Sequence, residues 1–389
     1  ITGTGRRTAS AYESDPASAA RLVVTYTAPL LPPTPSNGPV RFAVIGDYGR
    51  DNANEARVAT LVDSWGPDFV ITTGDNNYPD GEAATIDATI GQYYSQFIGN
   101  YQGAYGLGSV TNRFWPSLGN HDWHSITCAV DSCSGAYFDY FTLPDHERYY
   151  AVDLGLIHLF ALDSDGSEPD GRDQNSLQAD WLRKQLAAST ACYNLVYFHH
   201  PPYSSGRHGS NTAMQWPFSA WGADAILSGH DHLYERLAVN GIPYFVNGAG
   251  GATLYTFDHL DALPPEATSL VRYNEDYGAM LVTATADGIT YQFYNAGGLL
   301  IDDYTTTKQC AVATPTPTLV PTAPPTDTAT PTLVATAPPE ATPQPDTSGT
   351  TPVPGVASAN LTLFDRATDA GKPHRQKPIH WWQPLVVLQ

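Results

Sequence analysis

The stretch LSGHDHLYER, residues 227–236, sets His230 and His232 on either side of one aspartate, just past an apolar run. At a strand end, alternation sends side chains two residues apart to the same side, so both imidazoles serve one place. Four other apolar runs end in the same fashion. Asp47 follows VRFAVIG, Asp75 follows DFVITTG, Asn120 follows FWPSLG and His199 follows NLVYF. Two carboxylates, one amide oxygen and three imidazoles with no thiolate nearby form a mixed hard and borderline donor set. It suits Fe, Mn or Zn rather than a Cys-rich structural zinc. A single ion leaves ligands idle, whereas two ions sharing Asp75 use all of them, and paired metals clamp the attacking and leaving oxygens of phosphoryl-type displacements.

The elements that must position these residues follow from patterning. Short continuous apolar runs read as strands buried on both faces. Amphipathic helices are predicted between them at 52–65, 82–97 and 176–189, the last with Leu177, Trp181, Leu182 and Leu186 on one face. Alternation of strand and helix implies parallel pairing, and in such sheets ligands gather outside the carboxyl ends of the strands. YYAVDLGLIHLFALDS reads as a hairpin turning at Gly155, and the segment from Met280 to Thr306 as an antiparallel meander turning at Asp287-Gly288 and Gly297-Gly298. The expected fold class is α/β, a two-sheet mixed β-sandwich flanked by helices.

Composition sets limits on partners. The 389 residues carry 19 Lys and Arg against 39 Asp and Glu, a net charge of −20, which disfavours nucleic acid or an anionic membrane as the main partner. A phosphate-bearing substrate then needs a local positive centre, which bound metal ions supply. No apolar run is long enough to predict a spanning helix. Cys128 and Cys133 close a short polar loop, and Cys192 and Cys310 are available for a second bridge, which points to an oxidising compartment and a secreted or cell-surface protein.

GDYG (46–49), GDNNY (74–78), GNHD (119–122), VYFH (196–199) and GHDH (229–232) match, in order, the five motifs of the calcineurin-like metallophosphoesterases. In detail the chain resembles the purple acid phosphatase branch. Many relatives place a metal-binding histidine two residues after the first motif's aspartate, where this chain has Gly49, and lack a tyrosine where it has Tyr78. The resemblance implies that Asp47, Tyr78 and His232 bind a first metal, Fe(III), with Asp75 bridging. It implies that Asn120, His199 and His230 bind a second, which is Zn, Mn or Fe(II). His121 corresponds to a substrate-contacting histidine, His208 to one placed near the leaving group, and Asp122 is expected to orient His121. The implied activity is hydrolysis of a small phosphate monoester, with a metal-bound hydroxide as nucleophile and His121 and His208 holding phosphoryl oxygens and protonating the departing alkoxide. A phenolate ionises readily only beside a strong Lewis acid, so Tyr78 favours iron over zinc at the first position.

Other polar residues read as structural. His200 reads as a neighbour of His199, Asp163 and Asp165 as acidic turn residues, Glu235 and Arg236 as braces, and His124, His146, His158 and His259 as ordinary surface or core histidines. Two alternative functions stay open: a metal-dependent phosphodiesterase or nucleotide-processing phosphohydrolase, and a surface adhesion or polysaccharide-binding protein with a vestigial catalytic domain.

The catalytic domain is expected at 40–310. Residues 1–28 resemble the last strands of a β-rich module, or form an accessory strand, and 29–39 read as a linker. Residues 311–354 form a Pro/Thr-rich linker that lacks the apolar content to fold, and 355–389 stay unassigned. Since the chain opens with Ile1 and no basic-then-apolar signal segment, a mature form or a fragment is expected. The flanks suggest tethering near a cell wall or polysaccharide.

Overall fold

The computed structural model describes residues 38–129 and 132–310, plus two short strands, Gly5–Arg6 and Val23–Val24, that pair antiparallel. The described core lies within a unit spanning residues 1–317. The rest of the expected upstream module and its linker, and the expected 311–354 linker and 355–389 tail, lie outside the described residues.

Two mixed sheets form the framework. The first uses β1 (Val40–Ile45), β2 (Phe69–Thr72), β3 (Phe114–Pro116) and three strands from the end of the domain: β11 (Gly278–Ala284), β12 (Gly288–Asn295) and β13 (Leu300–Thr307). Its order is β13-β12-β11-β1-β2-β3. The second uses β4 (Tyr150–Asp153), β5 (Ile157–Ala161), β6 (Tyr193–Tyr197), β7 (Ala225–Ser228), β8 (Tyr234–Val239), β9 (Ile242–Asn247) and β10 (Ala267–Tyr273), in the order β10-β8-β9-β7-β6-β5-β4. β1, β2 and β3 run parallel, as do β5, β6, β7 and β9, so their carboxyl ends emerge together within each sheet.

The fold is α/β with two mixed sheets, as the patterning implies. One apolar cluster joins side chains of both sheets, among them Phe42 and Val44 of β1, Leu195 and Tyr197 of β6, and Tyr291 and Phe293 of β12. A second covers the other face of β6 through Val196 and Phe198, packed with Ile226, Leu182 and Leu186. Alternation along one buried strand thus feeds two cores, which is why NLVYF reads as an unbroken apolar run.

Helix α1 (Ala53–Trp65) starts at Asn52, whose side-chain oxygen accepts from the amides of Asn54 and Glu55, both at 2.9 Å, and ends at Gly66 in the left-handed region, φ 56°. Helix α2 (Leu177–Ala188) is capped by the Ser176 hydroxyl. Its buried face is Ala179, Leu182 and Leu186, while Leu177 is 69% exposed. Five positions before Leu182, Leu177 lies about 140° around the helix from it, which corrects its placement on that face.

The helix expected over 82–97 is shorter and irregular: a π-turn at Asp87–Gly91, then one α-turn at Gln92–Tyr94 and a 3₁₀ turn at Ser95–Phe97. Asp87 explains the disruption. Its carboxylate accepts from the hydroxyls of Tyr101 (2.6 Å) and Tyr140 (2.8 Å) and from the amide of Ala104, folding the following loop back over Gly91. The β4–β5 hairpin turns at Gly155 (φ 82°) and the β12–β13 hairpin at Gly298 (φ 83°), as expected.

Both candidate disulfides form. Cys128–Cys133 ties two short strands, and Cys192–Cys310 joins the start of β6 to the end of the described chain across a sequence separation of 118. A long closed loop restricts the unfolded chain most. Replacing Cys192 and Cys310 together by alanine is expected to lower stability by about 2–4 kcal/mol, read as a reduced midpoint in urea, with the far-ultraviolet circular dichroism of the folded protein unchanged.

Candidate metal centre

Six of the seven candidate ligands sit within four residues of a strand end, and Tyr78 lies six residues past β2. Asp47 follows β1, Asp75 follows β2, Asn120 follows β3, His199 follows β6, His230 follows β7 and His232 immediately precedes β8. Asp47, Asp75 and His230 all adopt positive φ, at 55°, 52° and 68°. Such backbone costs roughly 1–3 kcal/mol per residue and persists where surrounding packing over-determines it. Here it turns the chain sharply out of a strand and leaves the side chain over the sheet edge.

Two clusters share Asp75. In the first, the Tyr78 hydroxyl lies 3.0 Å from Asp75 Oδ2, 3.3 Å from Asp47 Oδ1 and 3.1 Å from His232 Nε2, and His232 Nε2 lies 3.4 Å from Asp47 Oδ1. In the second, His199 Nε2 lies 3.3 Å from Asp75 Oδ2, 3.0 Å from Asn120 Oδ1 and 3.1 Å from His230 Nδ1. His199 Nδ1 donates to the carbonyl of Thr73 and His232 Nδ1 to that of Thr253, at 2.9 and 2.7 Å. A carbonyl only accepts, so both rings carry a proton on Nδ1 and turn Nε2 inward, toward the clusters.

The residues fit a pair of metal ions. Donor atoms 3.0–3.4 Å apart match the edges of a coordination polyhedron built on bonds of about 2.1 Å. Asp47 and Asp75 are 0% and 1% exposed, and among the described residues neither bonds an Arg or Lys. Buried carboxylates with only imidazoles as basic partners are costly, and a multivalent cation offsets that cost. The imidazoles show the same demand. Burial opposes a charge on His199, yet Asp75 and Asp47 outweigh it and push its pKa up to about 10. Burial likewise opposes ionisation of Asp75, but His199 and His121 hold it well below the ordinary carboxylate range. His230 is driven far down, by burial and then by His199. Tyr78 is raised well above a free phenol by burial, then by Asp75 and Asp47.

Gly49 explains why a tyrosine occupies this corner. A Cβ there would lie 1.8 Å from the carbonyl oxygen of Asn76, so the second motif's loop crosses directly over the position. The Tyr78 amide donates to the Gly49 carbonyl at 2.8 Å, which fixes Tyr78 beside Asp47. A histidine at 49 and this path of residues 75–78 exclude each other.

The histidines expected near substrate border the clusters. The His121 ring lies 4.4 Å from the Tyr78 ring at a tilt of 50°, its Nδ1 against the Pro79 carbonyl, and its amide donates to Asp75 Oδ1. The exposed His208 lies 4.3 Å from the His230 ring, and its amide donates to Asp231 Oδ1. Asp122 departs from expectation. Its buried carboxylate does not reach the His121 ring but accepts from the amides of Gly119 and Asn76 and from Asn76 Nδ2, at 2.8–3.2 Å. It clamps the second and third motif loops together, because the short turn helix Asn120–Trp123 directs residue 122 back under the loop while residue 121 faces out. Burial, then Asp75, push its pKa up to about 7.

Several neighbours were not legible as site residues. Tyr255 stacks on His232 at 4.0 Å, and nothing in its sequence surroundings marks it. Asp163 accepts from the Trp123 indole at 2.9 Å. Arg50 lies over Tyr78 at 4.0 Å and Arg207 over Tyr255 at 5.1 Å, placing two cations beside the first cluster of an acidic chain. Ring nitrogens of His199, His200 and His230 all lie within 4.8 Å of one another. The adjacent pair His199-His200 was the available signal for that group.

Residues 40–234 match the family described as calcineurin-like phosphoesterase. The chain belongs to the calcineurin-like phosphoesterases. Among characterised relatives of this phosphoesterase, Purple acid phosphatase 17 of Arabidopsis thaliana is 28% identical over 306 residues, covering 71% of this chain and 87% of that protein. Tartrate-resistant acid phosphatase type 5 of Mus musculus is 28% identical over 253 residues, covering 56% and 73%. The chain thus resembles the purple acid phosphatase branch. A solved structure, GAP50, the anchor in the inner membrane complex of Plasmodium, aligns with TM-score 0.51 at 18% identity, over 70% of this chain and 90% of that one. That likeness concerns the fold.

The Gly49 contact carries a test. Gly49→Ala is expected to displace the 75–78 loop, costing about 2–4 kcal/mol and at least half of the bound metal, as measured by thermal unfolding and elemental analysis. Gly49 does not adopt positive φ, so the loss reports crowding by the added Cβ rather than left-handed backbone strain.

Proposed function

We propose that this phosphoesterase is an acid phosphatase that hydrolyses small phosphate monoesters at a binuclear centre. Asp47, Tyr78 and His232 would hold Fe(III), Asn120, His199 and His230 would hold Zn, Mn or Fe(II), and Asp75 would be shared by both. The observation that carries this reading is the Tyr78 hydroxyl at one corner of the Asp47, Asp75 and His232 cluster, within 3.0–3.3 Å of all three. When bound, the metals supply the Lewis acidity that polarises a phosphoryl oxygen and ionises an attacking water.

The chain's own residues do the rest. His121, beside Tyr78, and His208, beside His230, stand on opposite clusters, placed to hold phosphoryl oxygens and to deliver a proton to the departing alkoxide. Arg50 and Arg207 attract the anionic ester toward the first cluster. The two disulfides support a secreted or cell-surface setting, and among the described residues no helix is long and apolar enough to cross a membrane.

Purified protein is expected to contain about two metals per chain, iron included, to be pink to purple, and to turn over p-nitrophenyl phosphate faster than its bis-ester. Faster turnover of the bis-ester identifies a phosphodiesterase instead. Asp75→Asn is expected to abolish metal pairing and lower kcat/KM by about 10³-fold or more. Tyr78→Phe is expected to bleach the visible band while the far-ultraviolet circular dichroism stays unchanged. A colourless, fully active zinc or manganese protein contradicts the role given to Tyr78.

A further inference from the structure

His200 follows a candidate ligand, but its environment differs from that of its neighbours. The Ser164 hydroxyl accepts from the His200 backbone amide at 2.8 Å and meets His200 Nδ1 at 2.9 Å. Having taken one proton from the amide, the hydroxyl has one of its own to give, and Nδ1 is its only acceptor among the described residues. Nδ1 therefore accepts, and the ring proton resides on Nε2. This is the reverse of His199 and His232, whose Nδ1–H groups donate to carbonyls. A metal ligand presents a bare nitrogen, whereas His200 presents an N–H.

That N–H belongs to the second cluster's open side. His200, His208 and His230 line one cleft of about 260 Å³ together with Gly209, Ser210, Asn211 and Thr212. The His200 ring lies 4.4 Å from that of His230 and 4.9 Å from that of His199. Nε2 makes no hydrogen bond to any described residue. Ser164 is itself immobilised: it is buried, and Arg172 donates to its carbonyl at 2.8 Å. The scaffold thus spends a buried serine, held by an arginine, on fixing the tautomer of one cleft histidine.

We propose that His200 is a substrate-contacting residue, whose Nε2–H donates to an oxygen of the phosphoryl group seated at the second cluster, and that Ser164 is its positioning residue. The proposal deepens the phosphatase reading and rests on it for the identity of the bound group. A neutral N–H aimed at an anionic oxygen gives a charge-assisted hydrogen bond without competing with the ions for ligands.

The test uses metal-loaded protein, inorganic phosphate as the probe, and variants His200→Ala, His200→Gln and Ser164→Ala. Calorimetry with phosphate is read beside elemental analysis and steady-state kinetics on p-nitrophenyl phosphate. His200→Ala is expected to keep both metals and to weaken phosphate binding by about 10-fold or more. His200→Gln, which retains a donor, is expected to recover to within about threefold of wild type. Ser164→Ala is expected to weaken binding by a smaller factor, about threefold, with KM rising more than kcat falls.

Unchanged phosphate affinity in His200→Ala overturns the proposal. Loss of one metal equivalent in that variant also overturns it, by showing His200 to be a ligand. Wild-type protein that binds two metals and phosphate but turns over no monoester defeats the phosphatase reading and leaves the His200 contact standing or falling on phosphate affinity. Wild-type protein that binds no phosphate defeats both.

Discussion

Two carboxylates, Asp47 and Asp75, lie buried among imidazoles with no Arg or Lys bonded to either among the described residues. In a low-dielectric setting such an arrangement is unfavourable unless cations arrive. Backbone amides soften it, since His230 donates to Asp47 and His121 to Asp75, both at 2.8 Å, but an amide carries no net charge. Once this demand is accepted, the other features of the centre follow. Strand ends converge because only they can bring donors from distant parts of the chain to one point, and the histidine rings are oriented by carbonyls at Nδ1 so that Nε2 faces inward.

The same demand explains the crowding of the motif loops. Gly49 lies under the Asn76 carbonyl, and a Cβ at Gly119 would sit 2.2 Å from the Asp75 amide. The loops are stacked too closely for side chains at these positions. Asp122, Asn76, Thr72 and Tyr48 complete the stack with hydrogen bonds that never reach the cleft. Around the rim, rings replace backbone: Tyr255 on His232, His121 beside Tyr78, His208 beside His230. The interior of the site is rigid backbone and the mouth is aromatic and cationic, an arrangement suited to a small anionic ester.

Much of this was readable in the chain because it is local. Apolar runs that stop at Gly-Asp, Gly-Asn or Phe-His announce both a strand and what stands at its end, so the two sheets and the gathering of donors at one edge could be anticipated. Contacts made across the fold could not. Asp122 next to His121 invites a hydrogen bond between neighbours, yet adjacent helical residues point about 100° apart, which sends the carboxylate to Asn76. The helix expected over 82–97 reads well by periodicity, but Asp87 is claimed by Tyr101 and Tyr140 from later loops. Ser164, which sets the tautomer of His200, lies 36 residues before it in a turn that carries no pattern of its own.

The central claim is that two ions share Asp75, with iron on the tyrosine side. Anomalous X-ray diffraction from crystals of the native protein, collected on both sides of the iron absorption edge, tests it most directly. The account predicts two peaks about 3.5–4 Å apart bridged by Asp75, with the iron signal at the peak in bonding contact with Tyr78, Asp47 and His232. A single peak, or iron bound only among Asn120, His199 and His230 with Tyr78 free, would contradict it.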